Sequence, residues 1–156
     1  MNVEITQLYP TRILMIRHQG SYEGISTPFE KLCNWADQCG VQYSRVIGIY
    51  YDNPDYVPES QLRSAACIEV APGLILPNFG GLRIEDSMIN GGKYGTITVV
   101  GPYESLAMAW TQLTLNLEKK MGKSIRDNDP AFEVYVNDAE TTPPEQLITE
   151  LYMPIH

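Results

Sequence analysis

The 156-residue sequence predicts an α+β fold made of two similar halves. Each half reads strand–strand–helix–strand–strand, and the halves are expected to share a sheet and leave a cleft at their seam. Three observations carry this reading. Short apolar runs alternate with Gly, Pro and Asn punctuation. Two stretches place apolar residues at helical spacing. The order of elements then repeats, with the same letters at the same landmarks.

The elements follow in chain order. Residues 3–8 alternate and are closed by Tyr9-Pro10. Residues 12–18 form a second strand, with Ile13 and Met15 on one face and Leu14 and Ile16 on the other. Gly20-Ser21 breaks it. A helix follows, with two candidate starts, at Ser21-Tyr22-Glu23-Gly24 or at the capping-box pattern Thr27-Pro28-Phe29-Glu30. Ile25, Phe29, Leu32 and Ala36 form its sheet-facing stripe, and Gly40 stops it. Trp35, one position off that stripe, is expected to border a cleft or a contact between copies. Residues 45–51 and 62–70 read as strands around a Pro-containing loop. Residues 82–89 and 94–100 open the second half. Gly101-Pro102-Tyr103-Glu104 starts its helix, with Leu106, Trp110, Leu113 and Leu117 on one stripe and Gly122 as the stop. Strands over 132–136 and 147–155 complete it, so the halves span about residues 1–72 and 82–156 of a single domain.

The repeat is visible in the letters. Gly20-Ser21-Tyr22-Glu23 matches Gly101-Pro102-Tyr103-Glu104 at an offset of 81, and Gly40 matches Gly122 at 82. Tyr50 matches Tyr135, and Gln61-Leu62 matches Gln146-Leu147, at 85. One helix on a small sheet cannot seal a core alone, whereas two such units can bury both stripes.

Composition excludes several function classes. A net charge of −8, with only 11 scattered Lys and Arg, argues against direct nucleic-acid binding, which needs a basic face. No apolar run approaches the roughly 20 residues that span a bilayer, and no basic-then-apolar leader opens the chain, so the expected location is cytoplasmic. Cys33, Cys39 and Cys67 lack metal-ligand spacing and read as reduced thiols; no metal or cofactor is expected. His18 and His156 read as satisfied or solvent-facing. Gly91-Gly92 is a turn without a phosphate-loop pattern, and Asp127-Asn128-Asp129 a solvated turn without a calcium-loop glutamate. Ten tyrosines against three phenylalanines supply amphipathic faces suited to half-wet cores and to ligand clefts.

An ordered set of segments resembles the GyrI-like domain family. It comprises Ile49-Tyr50-Tyr51-Asp52-Asn53-Pro54, Leu62-Arg63-Ser64-Ala65-Ala66-Cys67-Ile68, Gly91-Gly92-Lys93-Tyr94, Val100-Gly101-Pro102-Tyr103-Glu104 with Ala109-Trp110, Phe132-Glu133-Val134-Tyr135 and Ile148-Thr149-Glu150-Leu151-Tyr152-Met153-Pro154-Ile155. The resemblance implies a pseudo-twofold domain that occurs alone or as the drug-sensing part of AraC-type and multidrug-responsive regulators. It implies a bulky, hydrophobic, often aromatic and cationic ligand between the halves, with a glutamate of the last strand, here Glu150, reaching it. Many relatives are acidic where this chain has Ala65, which the repeat matches to Glu150, so a mechanism needing two carboxylates is in doubt. Tyr50, Tyr135, Trp110, Ile148 and Tyr152 complete the expected binding set.

Two further roles follow from the same resemblance. Some members are similar to hydrolases that open the cyclopropane ring of DNA-alkylating compounds, with Glu150 as the catalytic group. The namesake antagonises DNA gyrase, which makes gyrase a candidate partner. In β-strand alternation Glu150 shares a face with Ile148 and Tyr152. On such an apolar face its pKa is expected to rise unless a donor or cation is near. The oligomeric state is not legible.

Overall fold

A computed structural model describes residues 2–156. In chain order it contains β1 (Glu4–Leu8), β2 (Thr11–Gln19), α1 (Ser26–Cys39), β3 (Val46–Tyr50), β4 (Arg63–Glu69), β5 (Glu85–Ile89), β6 (Gly92–Val100), α2 (Leu106–Leu115), β7 (Ala131–Tyr135) and β8 (Ile148–Pro154). The fold is mixed α+β, as predicted. The chain divides into two compact units, residues 10–89 and residues 1–9 with 90–156.

In the unit of residues 10–89 four antiparallel strands run in the order β3-β4-β2-β5. Leu14 lies opposite Ile68. Both pack with Leu32, Trp35, Ala36 and Val70 in a core under α1. Only the first candidate start acts as a cap; the Thr27-Pro28-Phe29-Glu30 box is not formed, because Thr27 lies inside the helix. Ser21 caps a 3-10 turn at Tyr22–Ile25, its hydroxyl accepting from the Glu23 N–H, and the α-helix proper begins at Ser26 without a side-chain cap. Gly40 ends it in the left-handed conformation (φ 69°) that a side chain would resist. Trp35 does not border a cleft. It is 6% exposed, donates its indole N–H to the Asn78 carbonyl at 2.9 Å, and meets Phe79 edge-on. The buried stripe is therefore Pro28, Leu32, Trp35 and Ala36, wider than the one read from sequence.

In the other unit the strand order is β1-β6-β8-β7, again antiparallel. Ile97, Leu106, Ala109, Leu113, Leu117 and Leu151 form the core beneath α2. The helix is shorter than predicted. It passes at Asn116 into a π turn that ends at Lys120. Gly95 explains how closely this end seats on the sheet. A Cβ there would lie 2.5 Å from a Leu117 methyl.

The leading strands differ from the expected arrangement. β1 pairs with β6, Glu4 opposite Thr96, and β5 pairs with β2. Each repeat thus carries the leading strand that the sequence reading gave to the other. Tyr9-Pro10 explains why β1 and β2 do not fold back as a hairpin, since a two-residue reversal needs positive φ that neither residue adopts.

Two buried hydroxyls lack a hydrogen-bond partner among the described residues, Ser64 Oγ and Thr149 Oγ1. They match under the repeat. Ser64 lies opposite Tyr50 and His18, and Thr149 opposite Tyr135 and Val99.

Gly95→Val is expected to cost about 1–3 kcal/mol through overpacking, and Leu117→Ala about 2–5 kcal/mol. Urea denaturation of the double variant should show a loss smaller than the sum, because the cavity accepts the added methyls. Thr149→Val should leave stability level or raise it, since it removes an orphaned hydroxyl and keeps the shape.

Candidate ligand-binding site

Alternation along β7 sorts its side chains into two sets. Glu133 and Tyr135 share one face, Phe132 and Val134 the other. The β7–β8 ladder places Glu133 opposite Leu151 and Tyr135 opposite Thr149. Leu151 belongs to the core under α2, so Glu133 and Tyr135 point toward that helix.

Glu133 is 6% exposed, yet it is fully engaged. Trp110 of α2 donates its indole N–H to Oε2 at 2.7 Å, and the Tyr135 hydroxyl donates to Oε1 at 2.8 Å. Trp110 can do this because it sits at the rim of the helix stripe, half-buried beside Ala109 and Leu113, where its ring reaches across to β7. Tyr103, in the turn before α2, closes edge-on against Tyr135 at 5.6 Å. Burial pushes the Glu133 carboxyl above the usual range, and the Trp110 and Tyr135 donors pull back only part of that rise. Burial likewise raises the Tyr103 phenol.

Chemically this is a carboxyl removed from water and walled by aromatic rings. Its two oxygens are fixed by neutral donors, so no cation balances the ionised form at the contacts described. Such a group attracts a positive charge brought in by a ligand. It also has the raised pKa that general acid–base chemistry uses.

The residues chosen from sequence divide between the faces. Trp110 and Tyr135 lie in the cluster around Glu133. Ile148, Glu150 and Tyr152 alternate onto the opposite face of the same sheet, with Phe132 and Val134. There Glu150 is half-buried and accepts a hydrogen bond from the Tyr152 hydroxyl at 3.0 Å. Tyr152 stacks on Phe132 at 4.9 Å, and Tyr94 meets Phe132 edge-on at 5.5 Å. In the other unit, Tyr50 is on the α1 face, edge-on to Tyr22 at 4.8 Å, and fully buried Ala65 is on the face turned away from α1. Tyr22–Tyr50 and Tyr103–Tyr135 are thus the same pair twice.

Glu133 was not singled out from the sequence. A signal was present. It shares the alternation face of Tyr135, and it stands between Phe132 and Val134 in a five-residue strand whose three central residues are buried. Gly48 occupies the matching place in the other repeat, so the acid has no counterpart there.

The GyrI-like small molecule binding domain family matches this chain over residues 1–156. A DNA gyrase inhibitor of Salmonella typhimurium is 32% identical over 140 residues, covering 88% of this chain and 88% of that relative. The C-terminal domain of EcmrR superposes with a TM-score of 0.81 at 15% identity, over 99% of this chain and 97% of that one. SAV2435, solved bound to tetraphenylphosphonium, superposes with a TM-score of 0.67 at 14% identity, over 100% of this chain and 94% of that one. The likeness to these two structures is one of fold. The match along the whole chain and the identity to the Salmonella protein place this chain in the GyrI-like small-molecule-binding domain family.

Proposed function

We propose that the chain binds bulky aromatic cations at Glu133, with Trp110, Tyr135 and Tyr103 as the aromatic walls. The observation that carries this reading is the buried Glu133 carboxyl, held at both oxygens by neutral donors and lacking a balancing cation at those contacts. A lipophilic cation supplies the missing charge and gains cation–π attraction from the rings. Tetraphenylphosphonium, the compound bound by the structural relative SAV2435, has that chemistry. Because Glu133 is 6% exposed, a ligand reaches the carboxylate only after Trp110 or Tyr135 gives way. Glu150, already served by Tyr152, lies on the other face and is not needed for this contact.

The name of the Salmonella relative supports a second reading, action on DNA gyrase. Inhibition of gyrase supercoiling by the purified chain is its test. Loss of inhibition on adding a cation would join the two readings.

Glu133→Gln is the discriminating variant. Its amide can accept from Trp110 and donate to the Tyr135 hydroxyl, so the local bonds survive while the charge goes. Tetraphenylphosphonium affinity should fall about tenfold or more, equivalent to about 1.4 kcal/mol, while the neutral triphenylphosphine oxide binds as before. Trp110 fluorescence, followed in a Trp35→Phe background, reports the titration. Glu150→Gln should bind like the parent; the reverse ranking of the two variants would overturn the assignment.

The raised Glu133 pKa fixes two pH dependences of opposite sense. Cation binding uses the ionised carboxylate, so affinity is full above that pKa and falls as pH drops through it. Calorimetry in buffers of different ionisation enthalpy should then detect proton release on binding. For stability, the folded state favours the protonated form. This contribution is complete at low pH and is lost as pH rises from the ordinary glutamate range through the raised value. Thermal melts should therefore show Glu133→Gln gaining on the parent as pH rises; a gap that does not change with pH would sink the argument.

A further inference from the structure

We infer that Thr149 selects, among the cations that reach Glu133, those carrying N–H donors: protonated aromatic amines rather than quaternary ions. The inference deepens the cation-binding reading and rests on it. It starts from a buried hydroxyl. Thr149 Oγ1 has no hydrogen-bond partner among the described residues, and the residue is 1% exposed. A hydroxyl left unpaired inside a protein costs stability, and each instance calls for an account. Valine has nearly the same shape, suits a strand as well and carries no such cost.

Strand register puts this hydroxyl next to the acid cluster. The Val136 N–H bonds to the Ile148 carbonyl, which makes the adjoining pair, Tyr135 and Thr149, a non-hydrogen-bonded one. Side chains of such pairs stand closest, with Cβ atoms roughly 5 Å apart. Glu133 lies opposite Leu151, so it is the diagonal neighbour of Thr149 on the α2 face, with Cβ atoms on the order of 7 Å apart. On its other flank Thr149 lies opposite Val99, whose side chain offers no polar group.

Tyr135 stands against both groups. Its hydroxyl donates to Glu133 Oε1, and its side chain leaves the strand beside Thr149. Movement of that ring, a step by which a ligand gains the carboxylate, frees an acid and an acceptor hydroxyl together. A protonated secondary amine has a donor for each, one N–H for Glu133 and the other for Thr149 Oγ1. A quaternary ammonium or phosphonium ion neutralises the acid but leaves the hydroxyl unpaired. Ser64, the matching orphaned hydroxyl, stands opposite Tyr50 but diagonal to Gly48 instead of an acid. Charge and free acceptor therefore coincide in one unit only.

Calorimetry with dibenzylamine, cationic at neutral pH, and with its dimethyl quaternary derivative is the test. Thr149→Val should weaken the amine about tenfold, the size of one hydrogen bond to a charged group. The quaternary ion and tetraphenylphosphonium should stay within about twofold of the parent. Thr149→Ser, which keeps the hydroxyl, should bind the amine like the parent, and Ser64→Ala should leave every compound unaffected. A Thr149→Val protein that weakens all the cations alike has a packing defect, and that result overturns the inference. So does one that binds the amine as the parent does; the cation-binding reading survives this result if Glu133→Gln still lowers the affinity of each cation. Affinities indifferent to Glu133→Gln would remove that reading, and the inference with it.

Discussion

A carboxylate can be buried at residue 133 only because two donors reach it from different elements. Charge removed from water costs several kcal/mol unless it is hydrogen-bonded or neutralised. The Trp110 indole comes from α2, and the Tyr135 hydroxyl comes from the same strand two residues on. Those bonds tie the helix to the edge strand of its unit, β7, at the place where the core stripe gives way to half-buried aromatics. The tie is incomplete, since the carboxyl pKa stays above its ordinary value. On the proposed reading, this is the charge that a cationic ligand would balance.

The internal repeat shows how such a site arises without a new scaffold. Each unit carries the same tyrosine pair, Tyr22–Tyr50 and Tyr103–Tyr135, and the same orphaned hydroxyl, Ser64 and Thr149. What differs is one position. Gly48 leaves the sheet surface bare in one unit, whereas Glu133 places an acid under the helix in the other. The tyrosines also take different partners. Tyr22 donates to the Asp52 main-chain carbonyl and so braces a loop, and Tyr135 donates to the buried acid. A duplicated frame thus carries two environments, one structural and one chargeable.

Much of the fold was legible because period-2 and period-3.6 patterns are local. The strands, both helices and the Gly40 stop follow from spacing and turn chemistry. Strand exchange was not legible, because whether β1 pairs with β2 or β6 depends on long-range register that Tyr9-Pro10 constrains only negatively. The site was half legible for a related reason. Alternation says that Glu133 goes with Tyr135 and Glu150 with Ile148 and Tyr152. It does not say which set the helix covers. That depends on Leu151, opposite Glu133, joining the α2 core. Trp110 and Tyr135 were recognised as aromatic material and grouped with Glu150, whereas their hydrogen bonds go to Glu133. An apolar strand with a lone glutamate reads alike on either face.

The face decides the chemistry as well as the location. Glu150 is half-buried, and its neighbour Tyr152 donates one bond from the same strand. Such a carboxylate keeps access to solvent, and a ligand competing for it must displace water as well as offer charge. Glu133 is already withdrawn from water, so on the proposed reading a cation would meet its charge with little solvent screening. The desolvation has been met within the folded domain, offset by the surrounding core. A ligand need add only its own desolvation and the movement of a ring. At the site proposed here, selectivity for charge would come from the carboxylate, and tolerance of shape from Trp110, Tyr103 and Tyr135, whose flat faces accept many ring systems. The proposal of charge selectivity with loose shape discrimination depends on the acid lying beneath the helix.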